Sequence, residues 1–417
     1  MICIIIILTL LRQYRIDPMS ELKKVLIVTY YWPPAGGPAI QRTLKFVKYM
    51  RFFGWEPVIL TVENGEYPAI DPSLIQEIPD NIQVYKTKAF QPFQLYRMLT
   101  GKKGNTHNNA NVFGQKDKTF IERLAKWIRL NLFIPDARIG WYAYAVKAAK
   151  KIIEQEHIDL IYSSSPPHSL QLIAQKIAKQ NKIKWVADFR DPWSELVHYQ
   201  SYKRTWLTRK IDSHFEKSVF RSADRLVAAA NDYATCIKTH VDRKIEVIYN
   251  GYDPSDFPKP KSKNTEDFLI TYTGELSEDR IPHALLRALS RLEHSNIKLQ
   301  FIGNTCPELK QEIQQLNLGN KVILKPYMPH IASIAELQQS DLLLLVINQV
   351  ANGKGIVPGK IFEYLGTRKP ILCLGDPTGE AGVKLSKPRI PGFVSLTTMK
   401  KKFSFYCHVF PQVFYLA

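Results

Sequence analysis

Short runs of consecutive apolar residues alternate along the chain with longer stretches whose apolar positions recur every three or four residues. Val25 to Tyr31 (VLIVTYY) is the first such run, and its continuity predicts a strand buried on both faces. Residues 39–53 carry helical spacing, and Gly54 stops them. Pro57 to Val62 predicts the next strand. The alternation resumes with a helix over Tyr142 to Glu156, a strand over Ile158 to Tyr162 and a helix over His168 to Lys179. A strand over Lys184 to Ala187, a long helix over Arg204 to Ser222 and a strand over Arg225 to Ala229 complete the first series. Asn64 to Asp80 and Lys102 to Lys118 are rich in Pro, Gly, Asn and charge and predict loops. Ile245 to Tyr249 then leads into a proline- and lysine-rich stretch over Asn250 to Glu266, which marks a domain boundary. A second series follows, with strands over Phe268 to Thr273, Lys298 to Ile302, Lys321 to Leu324, Asp341 to Ile347 and Ile371 to Leu374. Repeated strand–helix units predict an α/β protein with two doubly wound, Rossmann-like sheets. The expected divisions are an extension over 1–18, a first domain over 19–249, a second over 250–385 and a tail over 386–417.

The chemistry gathers where strands end. After the strand at Asp341 to Ile347, a turn with Gly353, Gly355 and Gly359 opens a helix that carries Lys360 and Glu363. A helix start offers free N–H groups and the positive end of its dipole, which suits a phosphate. Lys360 adds a full charge there, and Glu363 can accept hydrogen bonds from ribose hydroxyls. An ordinary strand–turn–helix fits the same letters. After the first strand, Pro33 to Pro38 (PPAGGP) places Gly36 and Gly37 where a ligand can approach the backbone, or where the chain merely turns tightly. It is not a GxGxxG fingerprint, which argues against a nicotinamide dehydrogenase. His168 follows Ser163-Ser164-Ser165-Pro166-Pro167. It can hydrogen-bond a sugar hydroxyl or shuttle a proton, or it can be a capping or surface histidine. In Asp188-Phe189-Arg190-Asp191-Pro192-Trp193, Asp188 or Asp191 can orient an acceptor hydroxyl and Arg190 can hold an anion. An internal Arg–Asp pair is the alternative.

Taken with Asn250-Gly251-Tyr252-Asp253 and Tyr272-Thr273-Gly274-Glu275-Leu276, these segments resemble the family 4 glycosyltransferases of the GT-B fold over roughly Lys23 to Leu385. The resemblance implies two domains facing across a cleft. The second would bind a nucleotide-diphosphate sugar, and the first would bind a glycan or lipid-linked acceptor. It implies transfer with retention, the leaving phosphate assisting deprotonation of the acceptor, in cell-surface polysaccharide assembly. In the family an Arg and a Lys clamp the diphosphate after the Gly274 turn. Arg280 falls on the Lys position, and Glu275 falls on the Arg position, a departure for which Lys360 can compensate. Two acids usually stand eight residues apart at the second Gly-rich turn. Glu363 is the second, assigned to the ribose, and Gly355 occupies the first. Asn250 and Asp253 are expected beside the donor or in a simple turn. The resemblance also puts His168 near the reacting sugar. The chain contains no Asp-x-Asp and no His/Cys/Asp cluster with ligand spacing, so neither metal nor resident cofactor is expected. The altered acids leave a second reading, a disabled GT-B scaffold that binds partners.

Charge adds a partner class. Lys plus Arg outnumber Asp plus Glu by 57 to 38, which favours anionic partners. Between Arg97 and Lys151 stand 12 basic and 3 acidic residues. There Lys118 to Phe133 puts Phe120, Ile121, Leu124, Trp127 and Ile128 on one helical face, with Lys118, Arg123, Lys126 and Arg129 mostly elsewhere. Such a helix lies on an anionic membrane surface or packs on its own domain with a solvated basic side. Nucleic acid is not expected, because charge alone points to it and no reading motif is present. The five cysteines are scattered, which fits a reducing, cytoplasmic setting, peripheral to the inner face of the membrane. The apolar run Ile2 to Leu11 lacks a preceding positive charge, and translation is expected to begin at Met19, with a membrane-anchoring extension as the alternative. The tail after Leu385 has no period and is expected to reflect truncation or a shifted frame.

Overall fold

A computed structural model of the protein describes residues 22–63, 65–67, 69–90, 120–194, 204–259, 266–292, 296–347, 357–376 and 378–386. The chain divides into two compact units that meet between Tyr249 and Asn250. The first unit is built on seven strands: β1 (Lys23–Val28), β2 (Trp55–Val62), β3 (Gln83–Thr87), β4 (Leu160–Ser165), β5 (Lys184–Phe189), β6 (Arg225–Ala228) and β7 (Ile245–Val247). They pair in the order β3-β2-β1-β4-β5-β6-β7, and every pairing is parallel. Its helices are α1 (Pro38–Met50), α2 (Phe120–Asn131), α3 (Tyr142–Glu156), α4 (Ser169–Asn181), α5 (Trp206–Ser222) and α6 (Asn231–Lys238).

Strand β1 shows why the apolar runs are continuous. Leu26 and Val28 pack with Trp141, Ala145 and Ile173 on one face, while Val25 and Ile27 pack with Ile40, Leu44 and Val47 on the other. Side chains alternate across a strand, so covering both faces demands an unbroken apolar sequence. Two elements lack that signature. The edge strand β3 is only partly covered, and α6 is short. A 3₁₀ turn over Pro72–Glu77, capped by Asp71, lies inside the stretch expected as plain loop.

The second unit repeats the plan with β8 (Phe268–Thr273), β9 (Ile297–Ile302), β10 (Val322–Lys325), β11 (Leu342–Val346) and β12 (Ile371–Leu374), in the parallel order β10-β9-β8-β11-β12. Its helices are α7 (His283–Ser290), α8 (Pro307–Gln315), α9 (His330–Gln339), α10 (Lys360–Thr367) and α11 (Glu380–Ser386). Strand order reverses between β1 and β4 in the first unit and between β8 and β11 in the second. Adjacent loops diverge at such a switch point and leave a crevice beyond the carboxyl ends of the strands. The Gly36-Gly37 loop, the His168 loop, the Gly274 loop and the start of α10 all stand at these ends. The expectations for residues 1–18 and 387–417, for the loop over Lys102 to Lys118, and for Gly353 and Gly355 lie outside the described residues.

Candidate active site

In the second unit, β8 ends in a turn that only glycine fits easily. Gly274 has φ +103°, and a Cβ there would come within 3.2 Å of Lys360 Nζ. That space lets Lys360, in the first turn of α10, reach across the switch point. Its ammonium donates to Thr273 O at 2.6 Å and lies 3.8 Å from the centre of the Tyr272 ring. Burial, together with the neighbouring charge of Arg280, pushes Lys360 down from 10.5 to about 7, and Glu363 opposes the shift. Two basic side chains thus share one small region, and the charge of Arg280 disfavours the charged form of Lys360. Arg280 also hydrogen-bonds the buried Tyr272 phenol, whose pKa burial raises to about 12 despite the opposing effect of Arg280. Glu363, one turn into α10 and half-buried, takes a 3.0 Å contact from His330 Nε2 at the start of α9. This pair fixes one carboxylate oxygen and turns the acid into an oriented acceptor for hydroxyl donors. Glu275 is exposed.

The segment that begins the second unit is tied to α10. Asp253 caps a 3₁₀ turn by accepting from Ser255 N at 3.0 Å. Phe257 packs so closely on Gly366 that a Cβ there would lie 2.2 Å from its ring. Asn250 is half-buried at the head of this segment, and Asp253 is a turn-forming residue.

In the first unit, three loops converge at the β1/β4 switch point. Gly37, at φ +98°, ends the first loop and leads into Pro38 of α1, and a Cβ there would meet open space. Gly36 is buried and donates its N–H to Ala69 O at 2.9 Å. His168 precedes α4 and is buried, stacked on Trp193 at 4.8 Å with planes 16° apart. Neither ring nitrogen finds a hydrogen-bond partner among the described residues. Burial, and then the charge of Arg190, lowers its pKa from 6.5 to about 3. The imidazole is therefore neutral at any physiological pH, with one donor and one acceptor to offer. Arg190 donates to Pro166 O beside it, and burial lowers its pKa from the ordinary arginine value. Asp191 is half-buried next to Arg190. The neutral state of His168 has a measurable consequence. The pH profile of kcat/KM is expected to carry no inflection near 6.5 from this residue, and His168→Gln is expected to keep more activity than His168→Ala. A histidine limb near 6.5 that disappears in His168→Gln would contradict the assignment.

Asp188 takes part in an internal Arg–Asp pair, with Arg42 as the partner. It is fully buried and already saturated: Arg42 grips it with two bonds of 2.8 Å, and Tyr162 and Ser164 hydroxyls donate at 2.7 Å each. Burial alone would raise its pKa, but Arg42 and these donors together hold it below the ordinary carboxylate value. With no exposed surface and four donors already on its two oxygens, it pins β5 to α1 and β4. Trp193, the last letter of the same string, is fixed by its indole N–H donating to Asp212 at 2.8 Å and forms the platform for His168. Arg42, Tyr272, Trp193 and His330 were not singled out from the sequence as site residues. Arg42 and His330 act through partners distant along the chain, and no local pattern announces them.

Residues 110–256 match the description Glycosyltransferase Family 4, and residues 254–373 match Glycosyl transferases group 1. No curated protein matches the chain by sequence. Among solved structures, HepE of Anabaena in complex with UDP and glucose aligns at 14% identity with a TM-score of 0.57, covering 93% of this chain and 91% of that one. A glycosyltransferase from Rickettsia africae aligns at 15% identity and TM-score 0.55, covering 94% and 90%. Sucrose-phosphate synthase of Thermosynechococcus elongatus aligns at 12% identity and TM-score 0.54, covering 84% and 81%. At these identities the structures carry the fold, while the two sequence matches, which together run over residues 110–373, carry the family. The chain belongs to the family 4 type glycosyltransferases of the GT-B fold.

Proposed function

We propose that the protein moves a sugar from a nucleotide-diphosphate sugar to a glycan or lipid-linked acceptor with retention of configuration, in the assembly of a cell-surface polysaccharide. The observation that carries this reading is the cationic pair at the β8/β11 switch point, Lys360 and Arg280, with the oriented acid Glu363 on the same helix as Lys360. In the reaction the bond from the sugar's anomeric carbon to the β-phosphate oxygen breaks, and negative charge gathers on the departing diphosphate. Lys360 and Arg280 stabilise that charge, so a metal ion or other resident cofactor is not required for this step. Glu363 holds the ribose hydroxyls, with His330 keeping its carboxylate turned toward them. On the acceptor side, neutral His168 hydrogen-bonds the reacting sugar or the acceptor, and the Gly36-Gly37 turn leaves room for both. Arg190 and Asp191 orient the acceptor. The acceptor's proton passes to the leaving phosphate oxygen as its own oxygen joins the anomeric carbon.

Donor turnover tests the reading without knowledge of the acceptor, because water can replace it slowly. Proton NMR of the first sugar released should show the anomeric configuration of the donor. An inverted first product would overturn the retaining assignment, and no release of nucleoside diphosphate from any donor would favour the disabled scaffold.

Lys360 adds a pH dependence. Free Lys360 loses its proton near pH 7, and a bound diphosphate favours the charged form, so binding above that pH takes up a proton. Affinity should therefore fall as pH rises above about 7, by at most about tenfold per pH unit. Calorimetry in buffers of different ionisation enthalpy should read proton uptake at pH 8 (a condition about one unit above the Lys360 value), and Lys360→Arg should abolish it. A flat profile in the parent would contradict the placement of Lys360 against the diphosphate.

A further inference from the structure

Among the described residues no hydrogen bond holds the His168 ring, so its place is set by the groups that fix its neighbours. Two carboxylates from distant parts of the chain do this. Asp136 accepts from Ser169 N at 2.9 Å on one oxygen and from Ser169 Oγ at 2.9 Å on the other. The second oxygen also accepts from Arg138 N at 2.9 Å. Ser169 follows His168 and is fully buried. His168 itself stands at the N-cap of α4, yet its side chain makes no capping bond. Free N–H groups at a helix start need an acceptor, and a side chain at the N-cap usually supplies it. Here Asp136 supplies it from outside the helix, which spares the imidazole for other partners.

Asp212, in the middle of α5, fixes the ring from its other neighbour. It is buried and accepts from Trp193 Nε1 at 2.8 Å and from Arg204 at 2.6 Å. The ion pair with Arg204 occupies one oxygen. The other is spent on the indole that stacks on His168, and a bonded indole cannot turn away from the ring it carries. One turn further along α5, Glu216 accepts from Ser194 N at 3.2 Å and secures the chain after Trp193. Burial raises the Asp212 carboxyl above its ordinary value, Arg204 opposes this, and the charge of Asp136 adds to the rise. The two acids therefore lie within reach of one another.

We propose that Asp136 and Asp212 are positioning residues that together hold the His168 imidazole in place, Asp136 through Ser169 and Asp212 through the Trp193 indole. The catalytic consequence rests on the glycosyl-transfer reading, whereas the brace itself does not. Burial is the main cause of the low pKa of His168, and Arg190 on the β5 loop lowers it further. Asp136 and Asp212 spend their charge on Ser169, Arg138, Trp193 and Arg204. Loosening the brace would let water reach the ring and bring its pKa back toward 6.5.

Two pairs of variants test it. Arg204→Met with Asp212→Leu removes the acceptor of the indole without leaving a buried charge unpaired. Asp136→Ala removes the cap on Ser169, and Asp136→Asn keeps an acceptor for it. Turnover of the donor by water is measured beside proton NMR of the histidine rings, with His168→Gln identifying the His168 signal. In the parent that signal should stay still above about pH 5, well clear of its value of about 3. In the double variant and in Asp136→Ala it should titrate nearer 6.5, and kcat should fall at least about tenfold while UDP, GDP and ADP bind as they do to the parent. Asp136→Asn should recover most of that loss. A purely stabilising role would lower the melting temperature and leave the signal and kcat at parent values, which would overturn the proposal. So would a fall in kcat with the His168 signal unmoved. Should the double variant not fold, the Asp136 pair carries the same test. If His168→Ala turns over donor like the parent, the role of His168 in transfer fails, and the histidine signal alone then decides for or against the brace.

Discussion

Replacing Arg280 or Lys360 by alanine is expected to weaken binding of a nucleoside diphosphate by about ten- to a hundredfold each. This corresponds to losing a charge-assisted hydrogen bond of about 1.5–3 kcal/mol. The two changes should not simply add. The charge of Arg280 helps to lower Lys360, so the two positions are coupled. Removing Arg280 should therefore raise the pKa of Lys360, a shift that NMR of the lysine side chain can follow directly. Fold stability should change little, because relief of that repulsion offsets the lost contacts with Thr273 and Tyr272. Calorimetry with the two single variants checks the prediction. If both bind nucleoside diphosphates like the parent, the phosphate does not lie between these residues.

The second large effect concerns folding. Asp188→Ala is expected to destabilise the first unit by about 3–5 kcal/mol, because it leaves the Arg42 guanidinium buried without its partner. For a unit of this size that lowers the melting temperature by on the order of 10 °C. Replacing both partners, as in Arg42→Met with Asp188→Leu, should recover part of the loss, since no uncompensated charge remains. Asp191→Ala, at a half-buried position, should cost far less stability. Thermal unfolding of the four proteins separates the readings. An Asp188→Ala protein that melts like the parent yet loses activity would restore Asp188 as a group acting on the acceptor.

How much of this was legible in the sequence depends on the range of the interaction. Strands buried on both faces, such as β1 and β11, announce themselves by unbroken apolar runs, and α2 by its apolar stripe between basic residues. The edge strand β3 has no such run, because water covers part of it. The switch-point loops were visible as glycine clusters after strands, since only glycine tolerates the positive φ at Gly37 and Gly274. The division of labour within Asp188 to Trp193 was not visible. Three charged groups in four residues announce a polar site, but which one is saturated depends on Arg42, a residue 146 positions away. The same holds for His330, which meets Glu363 across 33 positions. Sequence reading finds residue types that suit a chemistry. Burial and partners decide which of them remain available for it.

On the proposed function, the second unit holds a nucleotide-diphosphate sugar through Lys360, Arg280 and Glu363. Thermal unfolding of the parent with UDP, GDP, ADP and their monophosphates tests it most directly, because a ligand that prefers the folded state raises stability by mass action. One diphosphate is expected to raise the melting temperature, its monophosphate to do so much less, and Lys360→Ala to remove the difference. A cooperative melt that no diphosphate shifts, or a shift equal for mono- and diphosphate, would contradict it.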